Sequence, residues 1–183
     1  MVDDFWLADL AGALNMKLTK AQGDAVRAII AQMDAMGVTD KNQRAYILAT
    51  AYHECRFKSI CEIRAKPGTA VYKMQEKYWH TGFYGRGLCQ LTWARNYRKF
   101  SEVVGIDLVK HPDKLLDVEI GAKILVYGMV NGSFTAWKLH STNRLRRYIS
   151  DVKVDFISAR RIINGTFMAE MVRDAAVKIS ALC

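Results

Sequence analysis

Two carboxylates, Glu54 and Glu62, are the residues of this 183-residue chain whose type and spacing most readily suggest chemistry. Glu54 falls at the expected C-terminal end of a helix, where the negative end of the helix dipole disfavours a second negative charge. Phe57 and Ile60 follow closely and could desolvate it. Both effects favour the protonated form that a general acid needs near neutral pH. The competing reading is a solvated glutamate paired with Arg56 or Lys58. Glu62 lies past the helix end, in a loop. Two carboxylates flanking a glycosidic bond can serve as acid and base, and their separation decides inversion or retention. Eight residues of loop permit either. Glu76 competes for the second role, although Lys73 and Lys77 would equally pair with it on a surface turn.

The segment Tyr84–Thr92 is the second focus. Arg86 stands between two glycines, and alternating polar and apolar residues follow. The alternation predicts a strand-like stretch that puts Gln90 and Thr92 on one face. An amide and a hydroxyl there would bind sugar hydroxyls or hold a water, whereas Thr92 is equally suited to cap the next helix. Trp79, Tyr84, Trp93 and Tyr97 give an aromatic density that suits sugar stacking, and such residues also serve cores. Arg160, Arg161 and Asn164 gather at another helix end, where the arginines could pair with the acids or solvate a helix face. His53, Cys55 and Cys61 form no HExxH or CxxC pattern, so neither a metal nor another cofactor is expected. A cysteine nucleophile would need a base among His80, His111 and His140, at no informative spacing.

These residues need a scaffold, and the periodicity predicts a helical one. Ala25, Val26, Ile29, Ile30, Met33 and Met36 form a stripe over Thr19–Met36, with Gly37 as its C-cap. Asp40 and Gln43 make a capping-box pattern before a helix from Lys41 to about Glu54, with Ala45, Leu48, Ala49 and Tyr52 facing inward. Cys55 to Gly87 reads as loops with a short hairpin and a short helix near Tyr72–Tyr78. A helix over 93–104 ends at Gly105. Asp117 caps one that runs to about Val130 and stops at Asn131-Gly132. A mobile basic segment, Lys138 to Arg147, follows. Asp155 to Ile163 is helical, and Thr166 caps a last helix to Leu182. No linker divides the chain, so residues 1–183 are expected to form one domain.

Composition narrows the function classes. A hydrophobic share of 51% and a charged share of 25% are globular values. No run of about 18 uncharged apolar residues suggests a membrane span. The N-terminus opens with acids and lacks the pattern of a signal peptide, so synthesis in a cytoplasm with reduced thiols is expected. Lysine and arginine total 27 against 18 acids, a net charge of +9 that favours polyanionic partners.

Taken together, Ala51-Tyr52-His53-Glu54, the run Gly85-Arg86-Gly87-Leu88-Cys89-Gln90-Leu91-Thr92 with Asn96-Tyr97, Ile106-Asp107-Leu108 and His111-Pro112-Asp113 resemble the glycoside hydrolase family 19 chitinases. The resemblance continues through Gly121-Ala122-Lys123-Ile124 and Arg160-Arg161-Ile162-Ile163-Asn164-Gly165. It covers roughly residues 38–180 and is nearest to the compact phage endolysins of that family. It implies a mainly α, α+β lysozyme-like fold with a substrate cleft between two lobes. It also implies Glu54 as general acid and Thr92 at the position that holds the attacking water. Gln90, Asn96 and Asn164 resemble subsite residues. The shorter loop of endolysin-like members points to Glu62 as the second carboxylate, and the longer one of plant-type chitinases to Glu76. Cys55 and Arg56 depart from the small residues usual after His-Glu.

The expectation is thus an inverting peptidoglycan hydrolase for host lysis, with Glu54, Glu62 and Thr92 catalytic and Gln90, Asn96, Tyr97, Tyr84, Asn164 and Arg86 binding substrate. It would be a monomer, made in the host cytoplasm and acting on the wall after release. Anionic wall or outer-membrane polymers are further candidate partners, and no nucleic-acid partner is expected. The alternatives are a chitinase and a non-catalytic basic protein that binds wall polymer or nucleic acid.

Overall fold

The computed structural model describes residues 2–135 and 139–182. Side-chain caps set the start of most of the long helices by accepting from N–H groups that have no partner within the helix. Asp3 accepts from Trp6 N–H ahead of α1 (Asp4–Ala13). Thr19 and Gln22 form a reciprocal capping box at α2 (Lys20–Ala35). Asp40 accepts from the N–H groups of Asn42 and Gln43 at α3 (Lys41–Cys55). Only half of the box expected there forms, because the Gln43 amide donates instead to Ile149 O at 2.8 Å. Asp117 caps α6 (Val118–Asn131), and Gly132 ends it at φ 70°. Gly105 ends α5 (Ala94–Val104) at φ 73°.

Shorter elements complete the chain. They are α4 (Ala70–Gln75), α7 (Leu145–Tyr148), α8 (Phe156–Ala159) and three 3-10 turns at Trp79–Thr81, Pro112–Leu116 and Arg160–Ile162. The last helix is α9 (Ala169–Ser180). Among the described residues the only paired strands are β1 (Ile149–Ser150) and β2 (Lys153–Val154), antiparallel, with Ile149 opposite Val154 and Ser150 opposite Lys153. The fold is mainly α, as the periodicity predicts. No described helix is long and apolar enough to cross a membrane.

Helix α3 runs through the middle. Residues 45–51 are all buried, which fits a stretch that is apolar or small on every side. Helix α9 packs along α3, while α2 packs against α6. The buried residues of all these helices join in one apolar cluster. The hydroxyl of Thr50 is satisfied within the helix, donating to Tyr46 O at 2.8 Å.

Several local expectations fail for physical reasons. The alternating segment before α5 is no strand. Arg86 bridges Cys61 and Leu91 singly, and the chain between turns through Gly87 at φ 72° and Gln90 at φ 49°. Thr92 does not cap α5, whose N-cap is Trp93 at φ 75° without a side-chain bond. Thr166 does not cap the final helix, which starts after Met168 at φ 58°. The hairpin lies at 149–154 rather than between Cys55 and Gly87. The basic segment contains α7, pinned by buried Leu145 and Tyr148. Lys138 and Cys183 lie outside the described residues. Helix α1 was not anticipated, because its apolar residues do not fall in a one-sided stripe.

Candidate active site

Glu54 occupies the last turn of α3, and the backbone reverses immediately after it. Arg56 and Phe57 both take left-handed φ values, 54° and 59°. Non-glycine residues pay roughly 1–2 kcal/mol each for that conformation. The Phe57 ring is fully buried, tilted against Tyr52 with centroids 5.8 Å apart. Arg56 turns away and lies over the Tyr52 ring at 4.1 Å. The partner of Glu54 is therefore neither Arg56 nor Lys58. It is Arg160, 106 positions away, whose Nη1 donates to Glu54 Oε1 at 2.6 Å. The Arg160 side chain is 3% exposed and that of Glu54 18%. Arg160 Nε also donates to Phe167 O at 3.2 Å, which ties the end of α3 to the turn before α9. Glu54 Oε2 takes no hydrogen bond among the described residues. Burial lowers the pKa of neighbouring His53, with the Arg160 charge acting the same way.

Glu62 is held from three sides. Its Oε1 accepts from Gln75 Nε2 at 2.9 Å and from the Tyr78 hydroxyl at 2.7 Å. Its Oε2 accepts from Gly85 N–H at 2.9 Å, while Glu62 N–H donates to Gly85 O at 2.7 Å. A carboxylate offers about four lone-pair sites, so three donors leave one open. Gly85 leaves room here: a Cβ would stand 2.9 Å from Gln90 Oε1 and 3.2 Å from both Cβ and Oε2 of Glu62, so these side chains would have to shift. Gln75 reaches this position because its amide also bonds Ala65 N–H and Ile63 O, which makes it a buried strut between α4 and the loop. Burial raises the Tyr78 pKa, and its bond to Glu62 raises it further. Glu76 is spent elsewhere. It pairs with Arg64 and is about half exposed.

The other expected site residues divide into two groups. Thr92, Gln90, Asn96 and Tyr84 are half-buried along one wall. The Thr92 hydroxyl donates to Gln90 O at 3.0 Å, and Asn96 Nδ2 donates to Thr92 O at 2.8 Å. Gln90 Nε2 is committed to Ile60 O and Gly87 O, at 3.0 and 3.1 Å. Tyr84 stacks on Trp79 with centroids 4.5 Å apart. Arg86 and Tyr97 require a correction. They are 4% and 0% exposed, so they support the wall from behind and do not present themselves to a ligand. Arg86 donates to Gly82 O, Tyr97 Oη and Asp113 Oδ1, while the Tyr97 hydroxyl donates to Tyr84 O. Asn164 is exposed beyond the 3-10 turn that carries Arg160.

The buried thiols of Cys55 and Cys89 are poor nucleophiles. Cys55, Cys61 and Cys89 are free; burial pushes the Cys55 pKa up to about 12 and also raises that of Cys89. Among the described residues no group of three or more His, Cys, Asp or Glu side chains is placed to hold a metal.

The backbone points to the same wall. Of six described non-glycine residues with positive φ, Arg56, Phe57, Gln90 and Trp93 border it, and Met168 follows the carbonyl that anchors Arg160. Strain of this kind persists where the surroundings over-determine it, and it gathers at functional sites. Gln75, Tyr78 and Phe167 escaped the sequence reading. Gln75 and Tyr78 lie 13 and 16 positions from Glu62 with no periodic relation to it, and Phe167 contributes only a carbonyl. No protein-family model matches the chain, and no curated protein matches it.

Proposed function

We propose that the protein is a glycoside hydrolase acting on the glycan strands of bacterial peptidoglycan, of the family 19 endolysin type. The observation that carries this reading is that Glu54 and Glu62 are each oriented by protein donors and each keeps an oxygen able to do more. Glu54, directed by Arg160, protonates the glycosidic oxygen as the bond to the anomeric carbon breaks. Glu62 takes a proton from a water whose oxygen attacks that carbon from the opposite face, which inverts it. The Thr92 hydroxyl already donates to Gln90 O, so its lone pairs remain to accept the water's other hydrogen. Proton exchange with solvent then restores both carboxyl groups. Asn96, Tyr84 and Asn164 bind the sugars in a cleft between two lobes of a lysozyme-like fold. The protein acts as a monomer on the wall after release from the host cytoplasm.

The test is zymography on purified peptidoglycan and on colloidal chitin. Wild type should clear the wall gel. Glu54→Gln, which can still accept from Arg160 but no longer balances its charge, should stay folded with some loss of stability and lose about 100- to 10,000-fold in rate per folded molecule. Near wild-type turnover by Glu54→Gln overturns the assignment, and clearing of chitin alone redirects it to a chitinase.

A further inference from the structure

A second binding site is suggested at the other end of α3. Thr142, Arg144, Arg146, Arg147, Ser150 and Asp151 line a concavity of about 580 Å3. A neighbouring one of about 550 Å3 shares Arg144, Arg146, Ser150 and Asp151 and extends to Asp40 and Gln43. Lys41 and Glu54 are thirteen residues apart on α3, roughly 20 Å at 1.5 Å per residue, so this face is separate from the carboxylates.

Its donors lack acceptors. Among the described residues, the guanidinium groups of Arg144, Arg146 and Arg147 form no ion pair or hydrogen bond, and Arg147 only rests over the Tyr148 ring at 5.7 Å. The Thr142 and Ser150 hydroxyls are likewise without a partner among the described residues. The nearby carboxylates are largely occupied. Asp155 accepts from Ser158 N–H at 2.9 Å and lies 3.6 Å from Lys153 Nζ, and Asp40 caps α3. Asp151 alone adds a negative charge to the larger concavity, against three arginines. The platform is fixed from beneath. Leu145 and Tyr148 are buried, the Tyr148 hydroxyl donates to Asn143 Oδ1 at 2.5 Å, and Gln43 Nε2 holds Ile149 O at 2.8 Å.

We propose that this concavity binds the phosphate groups of a repeating anionic envelope polymer. Three guanidiniums and two hydroxyls suit a tetrahedral anion with several acceptor oxygens better than a planar carboxylate with two. Two adjoining concavities that share Arg144 and Arg146 suit a chain of such groups better than a single ion. The choice of an envelope polymer rests on the proposed wall hydrolysis; the phosphate site does not.

The probes are inorganic phosphate, a linear inorganic polyphosphate and a single-stranded DNA oligonucleotide of matched charge, titrated calorimetrically against the whole chain at low ionic strength. Polyphosphate should bind most tightly, and more weakly as salt rises. The triple variant Arg144→Gln, Arg146→Gln, Arg147→Gln should weaken it about tenfold or more, with an unchanged melting curve, since all three side chains are exposed. Asp151→Asn removes the repelling charge and should tighten binding by about two- to five-fold, a gain that misfolding would not mimic. Equal binding by wild type and the triple variant, or no gain from Asp151→Asn, overturns the site. Tighter binding of DNA than of polyphosphate overturns the envelope-polymer assignment. Hydrolysis is not read in this experiment, so its failure and that of the catalytic proposal are separable.

Discussion

The helical body and the wall formed by residues 56–93 are held together by different forces. In the body, α3 lies among α2, α6 and α9 with Tyr46, Ile47, Leu48, Ile29 and Met33 almost fully removed from water. Its cohesion scales with apolar area and depends little on any one polar atom. In the wall, single polar atoms decide the geometry. Gln75 joins Ile63, Ala65 and Glu62, Gln90 joins Ile60 and Gly87, and Arg86 joins Gly82, Tyr97 and Asp113. Area-based packing tolerates adjustment, whereas a polar lattice holds a carboxylate in one orientation and fails when one member is lost. For the proposed hydrolysis, a lattice of the second kind on a body of the first would keep Glu54 and Glu62 oriented.

The largest effect is expected in the body. Ile29→Ala should lower the unfolding free energy by about 2–5 kcal/mol through the cavity it leaves, with little change in catalytic rate for the folded fraction. Urea denaturation followed by circular dichroism checks it. Arg160→Met acts at the seam. It strands Glu54 in a site only 18% exposed. Losing one partner of a buried pair costs about 3–5 kcal/mol, and the residual exposure puts this case at about 3 kcal/mol or somewhat below. The same denaturation experiment reads it.

Gly85→Ala acts on the wall side. Its new methyl group meets Gln90 Oε1 and Glu62 Oε2. Hydrolysis should fall about tenfold or more while stability changes by only about 1–2 kcal/mol. A stability loss as large as that of Ile29→Ala, with full activity per folded molecule, would show that the wall is ordinary packing.

Alkaline pH probes both regions at once. Burial raises the pKa of Tyr46 in the body and of Tyr78 in the wall, and that of Tyr97 to about 12. An unfolded tyrosine titrates near 10, so above that pH the folded state binds more protons than the unfolded state. Stability should therefore be intact below about pH 10 and decline as pH rises from there toward and beyond 12. Tyr78→Phe should flatten part of that decline, and melting temperatures measured from pH 8 to 11 read the slope.

The body was largely legible in the sequence and the wall was not. Thr19 with Gln22, Asp40, Asp117, Gly105 and Gly132 mark helix ends through bonds made within four residues, which local pattern captures. The contacts that define the site are non-local. Arg160 meets Glu54 across 106 positions, and the Gly85 N–H meets Glu62 across 23. The alternation that suggested a strand over 84–92 was overridden by left-handed Gln90, a conformation no propensity signals for that residue. Arg86 and Tyr97 were drawn to the site by type, but burial assigns them to its support.

The smallest expected effect belongs to Glu76→Gln, because an exposed pair such as that with Arg64 contributes roughly 0–1 kcal/mol. That makes it the control for the most direct test, the rate at which purified peptidoglycan releases reducing ends with Glu62→Gln and with Glu76→Gln. Glu62→Gln should lose about 100-fold or more, and Glu76→Gln should stay close to wild type. An active Glu62→Gln beside an inactive Glu76→Gln would contradict the account.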